Sequence, residues 1–169
     1  MVGAGQLARM MLGPAIELGL ELEVLATDPA ESAAAVAGAV RVGRHDDRAA
    51  VRGLAAEVDA LTFDHEHVPT EILEEIEGDG LSAVRPGPSA LVHAQDKLAM
   101  RERLTALGHP CPRWWRIDSA AALADALGEA GGRLVVKTPR GGYDAHGVRI
   151  VETAAEAEDW LGEIGRAHV

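Results

Sequence analysis

Cysteine is nearly absent from this chain: Cys111 is the single one, so no intrachain disulfide can form. One thiol fits a reducing compartment, and the chain is expected to be cytoplasmic. Aromatic residues make up only 3% of it, as three Trp, one Tyr and one Phe. No apolar run approaches the roughly 20 residues that span a bilayer. The first residues also lack the basic-then-apolar order of a secretory signal. Positive charge is scarce: 16 Lys and Arg stand against 27 Asp and Glu, for a net charge of −11. Such a surface repels nucleic acid and anionic membrane, so any anionic ligand must meet a local cationic site. What remains is 47% apolar and 25% charged over 169 residues, the composition of one globular domain or two small ones.

Apolar periodicity gives the elements. A helix is predicted over 6–18, kinked or started late by Pro14, and ended by Gly19. Strands are predicted over 22–26, 39–42, 60–63 and 81–84, with helices over 46–56 and 69–76 between them. Strands alternating with helices imply a parallel α/β sheet. Pro86-Gly87-Pro88 is the clearest break. A single helical region over 89–107 follows, then a strand over 113–117 and a serine-capped helix over 119–128. Strands over 134–136 and 148–151 come next, and Thr153 caps a last helix. The domain boundary is placed near residue 90.

Between the last two strands the chain reads Lys137-Thr-Pro-Arg-Gly141-Gly142-Tyr143-Asp144-Ala145-His146-Gly147. Glycines let backbone N–H groups turn toward an anion, and a lysine adds a point charge. The stretch is expected to hold polyphosphate. It is not a P-loop, because its lysine precedes its glycines. Gly3-x-Gly5-x-x-Ala8 before a helix, with Asp28 about 20 residues on, is similar to the dinucleotide fingerprint and opens a second reading, a nicotinamide-dependent oxidoreductase binding NAD. The strand that should precede it is missing. A non-catalytic nucleotide-binding module is the third reading. Asp64-His65-Glu66-His67 offers metal-ligand types, but neighbours on an extended segment point to opposite faces, so no metal ligand is assigned. A carboxylate lining a pocket at the C-terminal sheet edge is expected instead. Trp114 and Trp115 are expected to pack, one in the core and one at a domain interface.

Four segments, in order, resemble the 5-(carboxyamino)imidazole ribonucleotide synthase family of ATP-grasp ligases. They are Gly3-Ala-Gly-Gln6-Leu7-Ala-Arg-Met, Thr62-Phe-Asp-His-Glu66-His-Val-Pro69, Gln95-Asp96-Lys97-Leu98, and the stretch from Val136 to Gly147. The resemblance implies a parallel-sheet, Rossmann-like pre-ATP-grasp domain over 1–90. The first part of an ATP-grasp α+β domain would follow over 91–163. It implies a ligase of purine biosynthesis: ATP activates bicarbonate as carboxyphosphate, and the carboxyl group passes to 5-aminoimidazole ribonucleotide. Lys97, Lys137, Gly141, Gly142, His146 and Gly147 would serve ATP. Tyr143 and Asp144 would be catalytic. Gln6 and Leu7 would help hold the ribonucleotide phosphate near a helix N-terminus, with Glu66 lining the same cleft. Magnesium would be the second cofactor, its ligands lying beyond this stretch, and the full-length enzyme would be a homodimer.

Two loop positions depart from the family pattern. Ala145 stands where glycine is usual, and His146 where Lys or Arg is usual. A histidine is largely neutral at pH 7, so the loop gives up one phosphate-neutralising charge. The reading also expects a fragment, inactive alone, whose truncated first strand leaves the sheet without a central member. Residues 163–169 can be encoded as GAG ATC GGA AGA GCA CAC GTC, which from its second base reads as the start of a sequencing adapter. Residues 164–169 are therefore expected to be a non-native tail.

Overall fold

The computed structural model describes residues 1–142, 147–163 and 167–168. They form two compact units, Met1–Leu91 and Val92–Val169.

In the first unit, β1 (Glu23–Ala26) pairs in parallel with β2 (Ala39–Val42), and β3 (Ala60–Leu61) in parallel with β4 (Ala83–Val84). The place between the pairs is not empty. Val2 bridges Leu25 on one side and Phe63 on the other, both in parallel sense. The Val2 amide donates to Thr62 O at 2.7 Å, and the Gly3 amide to Leu25 O at 2.9 Å. At the expected central position Val2 thus supplies isolated bridges rather than a strand.

Helices α1 (Gln6–Glu17), α2 (Arg48–Ala55) and α3 (Thr70–Gly78) complete this unit's α/β pattern. In α2, Val51, Leu54 and Ala55 recur at helical spacing and are buried. Asp47 caps that helix, accepting from the Ala49 and Ala50 amides. Ile72, Leu73 and Ile76 of α3 meet them in one core with Val2, Leu25, Leu61 and Val84. Each such side chain contributes roughly 1.5–3 kcal/mol when fully buried. Helix α1 starts at Gln6, not late, and runs through Pro14.

The second unit corrects the single helix expected over 89–107. There are two, α4 (Pro88–Gln95), which spans the division, and α5 (Lys97–Ala106). Asp96 between them has extended backbone (φ −126°, ψ 109°) and caps α5. An antiparallel sheet of order β5-β8-β6-β7 follows, from β5 (Arg116–Ile117), β6 (Leu134–Lys137), β7 (Val148–Val151) and β8 (Ala167–His168). Helix α6 (Ala120–Ala130), capped by Ser119, covers it through Leu123, Ala126 and Leu127. The chain then makes a 3₁₀ turn (Ala154–Ala157) and α7 (Glu158–Glu163). Thr153 begins that turn, but its side chain caps no backbone amide; its hydroxyl donates to Glu156 Oε1. Both tryptophans precede β5. Trp115 packs against this core and donates to Glu129, and Trp114 donates to Thr105 Oγ1.

Among the described residues no helix is long and apolar enough to cross a membrane.

Candidate functional site

The glycine stretch hangs from an antiparallel hairpin. β6 pairs with β7 from Leu134↔Val151 to Lys137↔Val148. One step beyond, the Thr138 amide donates to Gly147 O at 2.9 Å, which closes the base of the loop. Gly147 is required there twice over. Its φ is +70°, and a Cβ on it would stand 2.5 Å from Thr138 Oγ1 and 2.9 Å from the Gly142 Cα. Gly141 and Gly142 also have positive φ, 69° and 85°. Lys137 ends β6 half-buried, and among the described residues nothing pairs with its ammonium. Tyr143, Asp144, Ala145 and His146 lie outside the described residues.

The start of α5 grips the near shoulder of this loop. The Lys97 amide donates to Pro139 O at 2.8 Å, and its ammonium donates to Gly141 O at 2.6 Å. Asp96 Oδ1 accepts from the Leu98 and Ala99 amides at 3.0 and 3.1 Å, while Oδ2 accepts from Arg140 Nε at 3.2 Å. Partial burial alone would raise the Asp96 pKa. The Ala99 amide, the Arg140 guanidinium and the Leu98 amide outweigh it and hold the carboxyl below its usual range. The structure therefore brings Lys97, Gly141, Gly142 and Gly147 together with Lys137 around one loop. Sequence reasoning assigned no role to Arg140 or Thr138 and saw in Asp96 only part of a motif. An aspartate interrupting an apolar helical pattern was the available signal, since Asp favours caps over helix interiors.

The other predicted residues lie in the first unit, at the C-terminal edge of its parallel strands. Asp64 follows β3, and its side chain reaches the turn before α1. Its Oδ2 accepts from the Gly5 amide at 2.9 Å, and its side chain is only 5% exposed. A Cβ on Gly3, whose φ is +98°, would sit 1.8 Å from Asp64 Oδ1, so only glycine fits. The Gly5 amide at the start of α1 is the kind of donor a pyrophosphate would use, and a carboxylate already holds it. That arrangement speaks against the nicotinamide reading. Asp28, its expected ribose ligand, instead accepts from the Ala30 amide within its own turn. Gln6 Oε1 accepts from Ser32 Oγ at 2.9 Å, Leu7 is 63% exposed, and Glu66 is half-buried.

His65 stacks edge-on to His45 with ring centroids 4.9 Å apart, and His67 lies 5.3 Å from His65. The His67 amide donates to His65 Nδ1, so the neutral ring carries its proton on Nε2, 3.9 Å from Asp64 Oδ1. Burial lowers the His65 pKa, Asp64 and Glu66 oppose that, and His45 and His67 reinforce it. Among the described residues no group of His, Cys, Asp and Glu is arranged to hold a metal ion. A shallow cavity of about 610 Å³ lies at the opposite, N-terminal ends of β3 and β4, between residues 56–59 and 80–83, away from every predicted residue.

Residues 1–95 match the model of the ribonucleotide synthetase pre-ATP-grasp domain. The chain belongs to that family. This pre-ATP-grasp chain is 50% identical to the N5-carboxyaminoimidazole ribonucleotide synthase of Mycobacterium tuberculosis H37Rv, over 96% of its own length and 38% of that protein. It superposes with a TM-score of 0.82, at 28% identity, on the Aspergillus clavatus carboxyaminoimidazole ribonucleotide synthase complexed with ATP, covering 99% of this chain and 46% of that one. The same organism's enzyme in complex with ADP and 5-aminoimidazole ribonucleotide superposes with a TM-score of 0.80 at 25% identity, covering 99% and 45%. The pre-ATP-grasp chain thus spans less than half the length of the relatives it matches. Its second unit carries the front part of the ATP-grasp fold seen in those structures.

Proposed function

We propose that this chain supplies the first substrate domain and one jaw of the ATP site of a 5-(carboxyamino)imidazole ribonucleotide synthase. The observation that carries the reading is the gripped glycine loop: two lysines and three positive-φ glycines gathered on one hairpin at the start of α5. Solved relatives with ATP, and with ADP and 5-aminoimidazole ribonucleotide, support the same substrates here.

In this reading Lys97 and Lys137 neutralise phosphate oxygens, as point charges suited to a group that moves during transfer. The Gly141 carbonyl holds Lys97 until phosphate takes its place. Gly142 and Gly147 let the backbone approach the phosphates closely. Tyr143 and Asp144 face bicarbonate or the imidazole amine. A closed loop keeps water from carboxyphosphate, which would otherwise hydrolyse. In the first unit Gln6, Leu7 and Glu66 line the ribonucleotide site. Magnesium would neutralise charge on the transferring group, but the described residues include no group of three or more His, Cys, Asp or Glu placed to hold it. No step is assigned to it in this stretch. Homodimer formation and a cytoplasmic location belong to the full-length protein in this proposal.

Thermal shift tests the reading. ATP with magnesium at about ten times its Kd stabilises the 169-residue chain by about 1.4 kcal/mol, and NAD at the same concentration does not. The chain alone turns over no 5-aminoimidazole ribonucleotide. Protection by NAD without protection by ATP would move the assignment to the oxidoreductase reading.

A further inference from the structure

The two oxygens of Asp96 do different work. Oδ1 caps α5, and Oδ2 reaches across 44 residues of sequence to Arg140 Nε. A cap needs only one acceptor, and Ser or Asn serves as well as Asp. What Asp alone adds is a second, anionic acceptor for a guanidinium. Asp96 is 20% exposed and Arg140 is 65% exposed, so the pair contributes little to global stability. Its consequence is local. Arg140 directly precedes Gly141, whose carbonyl holds Lys97, and follows Pro139, whose carbonyl holds the Lys97 amide.

We propose that Asp96 is the positioning residue of the nucleotide loop, coupling the α5 cap to Arg140 so that residues 139–142 meet the helix start in one fixed arrangement. The loop's role as a phosphate binder rests on the function proposed above; the coupling does not. Only Nε of Arg140 is engaged among the described residues. Its two terminal nitrogens make no hydrogen bond to a described residue.

Asp96→Asn separates the two oxygens' roles. Asparagine keeps a carbonyl oxygen for the Leu98 and Ala99 amides and presents an NH₂ group, which cannot accept, to Arg140. NMR of the 169-residue chain reads both arms. The expected result is Arg140 Nε–H exchange roughly two- to five-fold faster in D96N, the range a surface ion pair supports. The Gly141 amide resonance moves with it, while Leu98 and Ala99 keep their protection. Unchanged Arg140 exchange, or equal loss at Leu98 and Ala99, overturns the coupling. Asp96→Ala, which removes both arms, should lose both sets of protection. Magnesium-ATP added to the unsubstituted chain reports on the other reading: no perturbation at residues 141–142, with the Arg140 result as expected, upholds the positioning role and fails the nucleotide assignment alone.

Discussion

Asp64 carries the most constrained contact in the first unit. Its carboxylate faces a glycine that tolerates no Cβ, bonds the amide of Gly5 just before α1, and leaves Oδ1 buried without a hydrogen-bond partner. An unpaired buried carboxylate oxygen is costly, and His65 Nε2, 3.9 Å away, stands too far to bond it. Burial, reinforced by His45 and His67, lowers the His65 pKa against the pull of Asp64 and Glu66. Its folded pKa lies below the ordinary 6.5, so the unfolded chain binds the proton more readily. The stabilising contribution is therefore complete above about pH 6.5 and is lost as pH falls through the lowered folded value. Chemical denaturation at pH 7.5 and 5.5 checks this: His65→Gln should flatten the drop between the two. An identical drop in both proteins would remove His65 from the account. From sequence, Asp64 to His67 read as metal-ligand types on an extended segment, with a carboxylate lining a pocket at the sheet edge preferred over a metal site. Their meeting with His45 and Gly3 depends on the sheet edge that gathers three loops, which no local pattern encodes.

At the scale of elements, apolar spacing located the helices and strands of the first unit to within a few residues, because most of them bury one face against a neighbour, though β2 stays largely exposed. Helix α1 is another exception. Only Ala8 is buried in it, and Leu7, Met10 and Ile16 are exposed, so its pattern does not report its packing. The break at Asp96 was hidden for a related reason: apolar residues continue on both sides, and capping chemistry rather than periodicity decides the boundary. The β6–β7 hairpin was legible as two strands, but the crowding at Gly147 was not, since it comes from Thr138 and Gly142 across the loop base. Gly147→Ala should cost on the order of 1–3 kcal/mol through strain at positive φ and the contact with Thr138. The Thr138 amide, bonded to Gly147 O, should then exchange faster while α6 amides are unchanged. A variant with native melting and native Thr138 protection would show that the loop base is not tightly closed.

The whole molecule comprises two units, each with its own core, and a length below half that of its relatives. The four motifs that resembled the ligase family divide between them: two lie in the first unit and two around the hairpin of the second. Family membership and fold were legible because motif order, spacing and glycine positions hold over a chain less than half as long as its relatives. The roles of Tyr143 and Asp144 rest on that resemblance, as both lie outside the described residues. The central claim is that the hairpin loop is a nucleotide-binding jaw. A residue-resolved NMR titration of the 169-residue chain with magnesium-ATP tests it most directly. The account predicts perturbations centred on Lys97, Lys137, Gly141, Gly142 and Gly147, with Gly3 to Ala8 unmoved. Perturbations confined to Gly3–Ala8, or elicited by NAD and not by ATP, would contradict it.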